Sequence, residues 1–274
     1  MIDFHTHILP GIDDGSRSIE MTEAMLEEEA RQGVTAVVAT PHFYAHRMSF
    51  DNFLDNRKHA AEITAEFLNK RAAADGGPYD NDSTGCDAAA DSISADGVEC
   101  GPDYPVLPKI YTGAEVYYFQ GMGRAERVKE LCVTGTDTIL VEMPFAQWED
   151  DVYDDIHDLI VRQHLTVVIA HIERYWDFQK DRSVWDDVFS LPVTRQINAG
   201  SFLRGWLGSR FALKVKREHP ETLIGTDCHN MDKRRPNLQE AREVIARKIG
   251  QETLDESDAK LEQLLEGAVS IQEA

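Results

Sequence analysis

Seven short runs of β-branched and aliphatic residues recur along this chain, and stretches with helical character alternate with them. The runs lie at Ile2–Phe4, Val34–Thr40, Lys109–Val116, Thr138–Met143, Thr166–Ala170, Thr194–Asn198 and Thr222–Gly225. Helices are predicted at about Ser18–Gln32, Phe50–Arg71, Asp151–His164, Val184–Leu191, Phe202–Glu218, Asn237–Ile249 and Ser257–Val269. The first of these shows the local logic. Ser18 suits an N-cap, Met25, Leu26 and Ala30 fall on one face, and Gly33 stops the run. Strands alternating with helices call for an α/β fold with a mainly parallel sheet. Seven units divide poorly between two domains. They suit one distorted (β/α)7 barrel of the TIM type, so residues 1–274 are expected to form a single domain. In such barrels the chemistry gathers at the C-terminal ends of the strands.

One segment breaks the alternation. From Ala72 to Pro105 the chain carries eight acidic residues, no Lys or Arg, and few large apolar side chains. It cannot bury enough to offset its ordering entropy, so we expect a mobile acidic insertion at 72–105 with Cys86 and Cys100 as free thiols. After Gly250 the tail adds seven acids against Lys260 alone. The formal net charge of -21 argues against nucleic acid as a partner, because phosphates would meet a repelling surface. No apolar run is long enough to span a bilayer, no signal peptide is visible, and the four cysteines form no CxxC pair. These features lead us to expect a cytoplasmic protein without membrane insertion.

The ends of the predicted strands carry the chemistry. The first run leads into HTHILPGIDDGS, which supplies His5, His7, Asp13 and Asp14. Alternation puts His5 and His7 on one side of a strand. Taken alone, that pair is as well explained by a half-buried strand whose histidines find ordinary partners. The other ends add His42 from TPH, Glu115 from GAE, Glu142 from VE, His171 and Arg174 from AHIERY, and Asp227 and His229 from DCHN. Five histidines and four carboxylates converging on one rim would be very costly to bury unless cations neutralised them. The set points to a polynuclear metal site.

The ordered pattern HTH, GIDDGS, TPH, GAE, VE, AHIERY and DxHN resembles the PHP (polymerase and histidinol phosphatase) superfamily. More narrowly, DFHTHILPGIDDGS with IAHIERY and DCHNMDKRRP is similar to its bacterial protein-tyrosine phosphatases of capsule and exopolysaccharide operons. The resemblance spans the chain outside 72–105 and the acidic tail, and it implies the PHP version of the barrel. It also implies three divalent metal ions, with Mn²⁺ as the first choice and Fe or Zn²⁺ as alternatives. His5, His7, Glu115 and Asp227 would hold the first ion. Glu115 would bridge to a second, completed by Glu142 and His171, while Asp14, His42 and His229 would hold the third. Asp13 is left out, and an Asx contact stabilising its own turn accounts for it.

The implied reaction is hydrolysis of phosphotyrosine on a protein, expected to be a bacterial tyrosine kinase controlling capsule or exopolysaccharide synthesis. Activated hydroxide would attack phosphorus while cationic groups gather the equatorial oxygens. Arg174 is the first candidate for that cationic role, and Arg234 is the second. The chain reads Asp232-Lys233-Arg234-Arg235-Pro236 where the family has Asp-Gly-Arg-Pro, so Arg235 competes with Arg234.

Other readings compete. Cys228 to Arg234 matches the C-x5-R pattern of cysteine-dependent tyrosine phosphatases, but HNMDK lacks the glycine that eases a phosphate cradle, and with Asp227 and His229 facing metals alternation turns Cys228 away, so we read the match as coincidence. A small phosphomonoester such as histidinol phosphate is the closest alternative substrate. A phosphodiesterase is disfavoured by the acidic surface, and a non-catalytic metal module by the complete ligand set. His46, His59, His157, His164 and His219 are assigned to helices and loops, although His46 follows a strand end on the active rim. Trp148, Trp176, Trp185 and Trp206 are assigned most simply to the core or the rim, with Tyr175 and Trp176 as candidates for the substrate mouth.

Overall fold

The computed structural model describes residues 1–74 and 105–273. Its elements, in chain order, are β1 (Ile2–Thr6), α1 (Ile19–Arg31), β2 (Ala36–Ala39), β3 (His42–Phe43), α2 (Phe50–Ala74), β4 (Lys109–Thr112), β5 (Glu115–Tyr117) and β6 (Thr138–Glu142). There follow α3 (Asp150–Val161), β7 (Thr166–Ile169), α4 (Ser183–Ser190), β8 (Thr194–Asn198), α5 (Ala199–Phe202), α6 (Gly205–Gly208), α7 (Arg210–Glu218), β9 (Leu223–Gly225), α8 (Leu238–Lys248) and α9 (Glu252–Leu264). Ser18 caps α1 as expected, its hydroxyl accepting the Met21 N–H. Residues 72–74 prove to be the last turn of α2 rather than the start of an insertion. The rest of that segment, with Cys86 and Cys100, lies outside the described residues.

All paired strands run parallel, in the orders β1-β2-β4 and β3-β5-β6-β7-β8-β9. The predicted second run is split into β2 and β3 around Thr40-Pro41, where proline can donate no ladder bond. The third run is split at Gly113-Ala114 into β4 and β5. Bonds from Gly113 N–H to Ala39 O (2.8 Å) and from Glu115 N–H to Pro41 O (3.0 Å) carry the ladder across both breaks. At the far edge, Asp227 N–H donates to His5 O (2.7 Å) and His7 N–H to Cys228 O (2.9 Å). The parallel sheet is therefore curled, with β1 bonded to β2 on one side and to the segment after β9 on the other.

Burial on both faces explains why these strands read as continuous apolar runs rather than alternating ones. Phe4, Val38, Leu140, Val168 and Leu223 pack with Leu261 and Leu264 of α9 in one cluster. Val37, Ile110, Val141, Ile169 and Ile197 face a second cluster that takes in helix residues such as Leu26, Leu68, Ile156 and Val188. The acidic tail thus has a structural use. The helix predicted at Ser257–Val269 begins earlier, at Glu252, and bonds from Thr138 Oγ1 to Leu264 O (3.0 Å) and from Ser257 Oγ to Thr222 O (2.7 Å) pin it to the starts of two strands. The helix predicted over Phe202–Glu218 is broken into α5, α6 and α7, with Gly205 in the left-handed region at φ 73°. Among the described residues no helix is long and apolar enough to cross a membrane.

β1 departs from a regular ladder. Asp3 pairs with Val37 and Thr6 with Ala39, so three steps on β1 match two on β2. That bulge re-aims the strand. Asp3 lies with Glu29 of α1 and Cys228, whereas His5 and His7 lie with Glu115 and Asp227.

Candidate metal centre

Every predicted ligand lies at or just beyond the C-terminal end of a strand, or in the loop that follows. His5 is in β1 and His7 just past it, Asp14 lies in the following loop, and His42 opens β3. Glu115 opens β5, Glu142 ends β6, His171 follows β7, and Asp227 and His229 follow β9. All are buried or half-buried except Asp14, whose side chain is 69% exposed. His171 and Asp227 hold positive φ angles, 27° and 55°. Such strain in non-glycine residues persists where surrounding structure over-determines it, and it clusters at functional sites.

Three groups form. In the first, His5 Nε2 and His7 Nε2 stand 3.2 Å apart, each 3.2 Å from Glu115 Oε2 and 3.6 and 3.3 Å from Asp227 Oδ1. In the second, His171 Nε2 lies 2.7 Å from Glu115 Oε1 and 3.6 Å from Glu142 Oε1. In the third, Asp14 Oδ1 lies 3.5 Å from His42 Nε2 and 3.4 Å from His229 Nε2. His42 also faces the second group, with Nδ1 2.9 Å from Glu115 Oε2. The nine predicted ligands are thus brought together, with Glu115 shared among the groups.

The donor chemistry fits divalent cations. His7 Nδ1 pairs with Asp13 Oδ2 at 2.7 Å and His5 Nδ1 with Gln196 Oε1 at 3.3 Å, and both oxygens are acceptors. With the Nδ1 atoms directed at these acceptors, the two Nε2 atoms are turned toward each other and toward two carboxylates. Lone pairs at 3.2 Å repel unless a cation or proton lies between them. Ligand atoms spaced 3.2–3.6 Å apart match an ion held by bonds of about 2.0–2.2 Å. Glu115 Oε2, Glu142 Oε2, His42 Nδ1 and His229 Nε2 are buried and, despite these short approaches, make no well-aligned hydrogen bond. Native proteins avoid such orphans unless something else satisfies them.

The groups also perturb one another. Burial would push Glu115 and Asp227 up, yet the charge of His5 and hydrogen bonds from neighbouring histidines hold both carboxyls well below the usual range. Glu142 goes the other way, pushed up to about 7 by burial and then by the charge of Glu115. Burial, with His7 alongside, takes His229 down to about 3. Divergent shifts in one cleft mark a functional site more often than a structural one.

Two arginines stand at the mouth. Arg234 Nη2 lies 2.6 Å from Asp227 Oδ1, and Arg174 Nη1 lies 3.7 Å from Asp227 Oδ2. Arg235 pairs with Glu240 and Glu28 and lines the same cleft, but of the two competitors Arg234 is the one paired with a predicted ligand. A cleft of about 470 Å³ opens here, lined in part by Arg174, Arg204, Asp227, Lys233 and Arg234.

Several residues hold this arrangement that the sequence reading passed over. Asp13 makes the expected turn contact to Gly15 N–H (2.9 Å), but its other oxygen also takes His7 and the His42 N–H (3.0 Å). Gln196 Oε1 accepts the His171 N–H at 2.6 Å as well as meeting His5. Asn198 Nδ2 donates to Asp227 Oδ2 at 2.8 Å, so the sixth predicted strand contributes too. Tyr175 is fully buried with its hydroxyl 2.9 Å from His171 Nδ1, and is not at the mouth. Trp176 faces Trp185 and Phe211 instead.

Cys228 is turned away from the site, as alternation predicted. Its Sγ lies 3.8 Å from Glu29 Oε1, and burial followed by the charges of Glu29 and Asp3 pushes the thiol well up. A nucleophilic cysteine needs the reverse. The N–H groups of His229 and Asn230 are also spent on Arg234 O (2.9 and 3.2 Å), so this loop does not point a row of free donors at a phosphate.

Comparison with known proteins bears on the same residues. The sequence profile of the family described as "Capsular polysaccharide synthesis, CpsB/CapC" matches residues 1–74 and 103–260. "Tyrosine-protein phosphatase CpsB" of Streptococcus agalactiae serotype III (strain NEM316) is 26% identical over 260 residues, covering 92% of each chain. "Tyrosine-protein phosphatase YwqE" of Bacillus subtilis (strain 168) is 27% identical over 257 residues, covering 92% of this chain and 86% of its own. A crystal structure described under YwqE from Bacillus subtilis and CpsB from Streptococcus pneumoniae, "unique metal-dependent tyrosine phosphatases", superposes with a TM-score of 0.73 at 24% identity. It covers 98% of this chain and 96% of that one, and it shows a shared fold.

Proposed function

This chain belongs to the capsular polysaccharide synthesis family CpsB/CapC, and on that footing we propose that it is a metal-dependent phosphatase acting on phosphotyrosine in a protein. The observation that carries the reading is the cluster of His5, His7, His42, Glu115, Glu142, Asp227 and His229, with Asp14 and His171 against its edges, beside two arginines. His5, His7, Glu115 and Asp227 hold one ion in this reading, Glu115, Glu142 and His171 a second, and Asp14, His42 and His229 a third. Mn²⁺ suits this mixed set, with Fe or Zn²⁺ as alternatives. The bonds that join β1 to the segment after β9 support reading the curled sheet as a distorted (β/α)7 barrel.

When bound, the ions lower the pKa of water and polarise phosphoryl oxygens. Arg174 and Arg234 take the equatorial oxygens, a role suited to guanidinium forks. Asp13, Gln196 and Tyr175 fix the rings of His7, His5 and His171, so the ligand atoms need little reorganisation when the site fills. The substrate we favour is a bacterial tyrosine kinase of capsule or exopolysaccharide synthesis.

Two expected results follow from these roles. Asp13→Asn leaves the turn intact but weakens the hold on His7, so metal affinity falls by roughly 10–100-fold. Equilibrium titration with Mn²⁺ reads this, and an unaltered affinity contradicts it. Cys228→Ser retains most of the turnover, because the thiol is buried away from the site. A Cys228→Ser protein that keeps its metals yet loses turnover would revive the cysteine mechanism.

The reading itself is tested with metal-loaded protein against a phosphotyrosine peptide, histidinol phosphate and a phosphodiester. The peptide is expected to show the highest kcat/KM. A preference for histidinol phosphate would transfer the same machinery to a small monoester, and a preference for the diester would overturn the assignment.

A further inference from the structure

Beside the ligand cluster stand rings that metal binding does not use. Tyr44 follows β3, and its ring centroid lies 5.2 Å from that of His42 at an interplanar angle of 33°. Tyr117 ends β5 opposite Glu142 in the ladder, with its ring 5.5 Å from Tyr44. His46 closes the group, 5.9 Å from Tyr44 and 6.5 Å from Tyr117. Tyr44 and Tyr117 are half-buried, and among the described residues neither hydroxyl has a hydrogen-bond partner. Exposed Arg47 lies over Tyr44 at 5.1 Å, which steadies the ring.

On the other rim, among the described residues, the half-buried ring beside a predicted ligand is engaged by the guanidinium assigned to phosphate. Phe145 lies 6.2 Å from His171, but the Arg174 guanidinium already covers its face at 4.9 Å. In an aryl phosphate a single ester oxygen separates phosphorus from the ring. A platform for that ring must therefore adjoin the ligands directly, as Tyr44 does.

We propose that Tyr44 and Tyr117, with His46 beside them, form the subsite that receives the phenyl ring of phosphotyrosine and so favours aryl over alkyl phosphates. This rests on the phosphatase reading above. Aromatic pairs in offset or tilted geometry add binding beyond area burial, and removing two such partners lowers affinity on the order of tenfold.

The test compares wild type, Tyr44→Ala/Tyr117→Ala and Tyr44→Phe/Tyr117→Phe, each loaded with Mn²⁺ and checked for metal content. Calorimetry gives Kd for a phosphonomethyl-phenylalanine peptide and for its counterpart bearing an alkyl phosphonate. Kinetics gives kcat/KM for the phosphotyrosine and phosphoserine peptides. We expect the double Ala protein to lose on the order of tenfold in aryl-over-alkyl preference, through Kd and KM rather than kcat. The double Phe protein should keep the preference, since it keeps both rings. An unaltered preference in the Ala protein overturns the subsite, as does a wild type that binds both phosphonates equally. Should the Ala protein fail to fold, Tyr117→Ala alone is expected to show a partial loss, and its absence counts equally against the proposal. A wild type that binds the aryl phosphonate selectively but hydrolyses neither phosphopeptide would instead defeat the phosphatase reading.

Discussion

Glu115→Gln is expected to abolish turnover and strip the protein of most of its metal. Glu115 is the carboxylate that four histidines reach: His171 at 2.7 Å, His42 at 2.9 Å, and His5 and His7 at 3.2 Å each. Glutamine keeps the volume but replaces one oxygen with an amide that has donors and no lone pair. Whichever way that amide turns, it faces imidazole nitrogens placed for a shared cation. Residues that merely orient a ligand cost about 10–100-fold when removed. A ligand shared between groups should cost more than about a thousandfold, since the loss includes the ions whose chemistry drives the reaction. Metal content by mass spectrometry and kcat on a phosphotyrosine peptide decide the matter, with a thermal melt to verify folding. Full metal content with turnover within tenfold of wild type would remove Glu115 from the centre.

Arg174→Ala separates phosphate binding from metal binding. Arg174 is 39% exposed, rests on Phe145, and approaches Asp227 without being placed to ligate a cation. A preorganised donor aimed at developing charge is worth about 10²–10³ in kcat. The expected result is a loss of that size with metal content retained. Arg174→Lys should recover only part of it, because an ammonium cannot grip two oxygens in a fork. Near-wild-type rates in the Ala protein would exclude Arg174 from catalysis, and loss of metal would recast it as a structural residue.

The convergence of the His and carboxylate side chains on one rim could be read from the sequence because it rests on local rules. Alternation put His5 and His7 on one side, and a strand end followed by a loop put Glu142, His171 and Asp227 on the same rim. Cys228 was excluded by the same alternation. Asp13, Gln196, Asn198 and Tyr175 were missed or misplaced because their work depends on tertiary partners. A buried tyrosine on His171 looks no different in sequence from one at the mouth. The bulge in β1 carried no sequence mark either, since it is imposed by pairing with β2. Likewise, Phe202–Glu218 was expected as one helix, and the glycines at which it breaks, Gly205 and Gly208, were passed over. The tail helix was expected at Ser257–Val269; its start at Glu252 was missed because the acidic run hides Leu254, which buries one face together with Leu261 and Leu264.

The most direct test of the central claim is the turnover of a phosphotyrosine peptide by the protein as purified, after exhaustive chelation and after return of Mn²⁺. The account predicts activity that vanishes on chelation and reappears with the metal, with Cys228→Ser behaving in the same way. Undiminished hydrolysis by protein shown to be metal-free would contradict it.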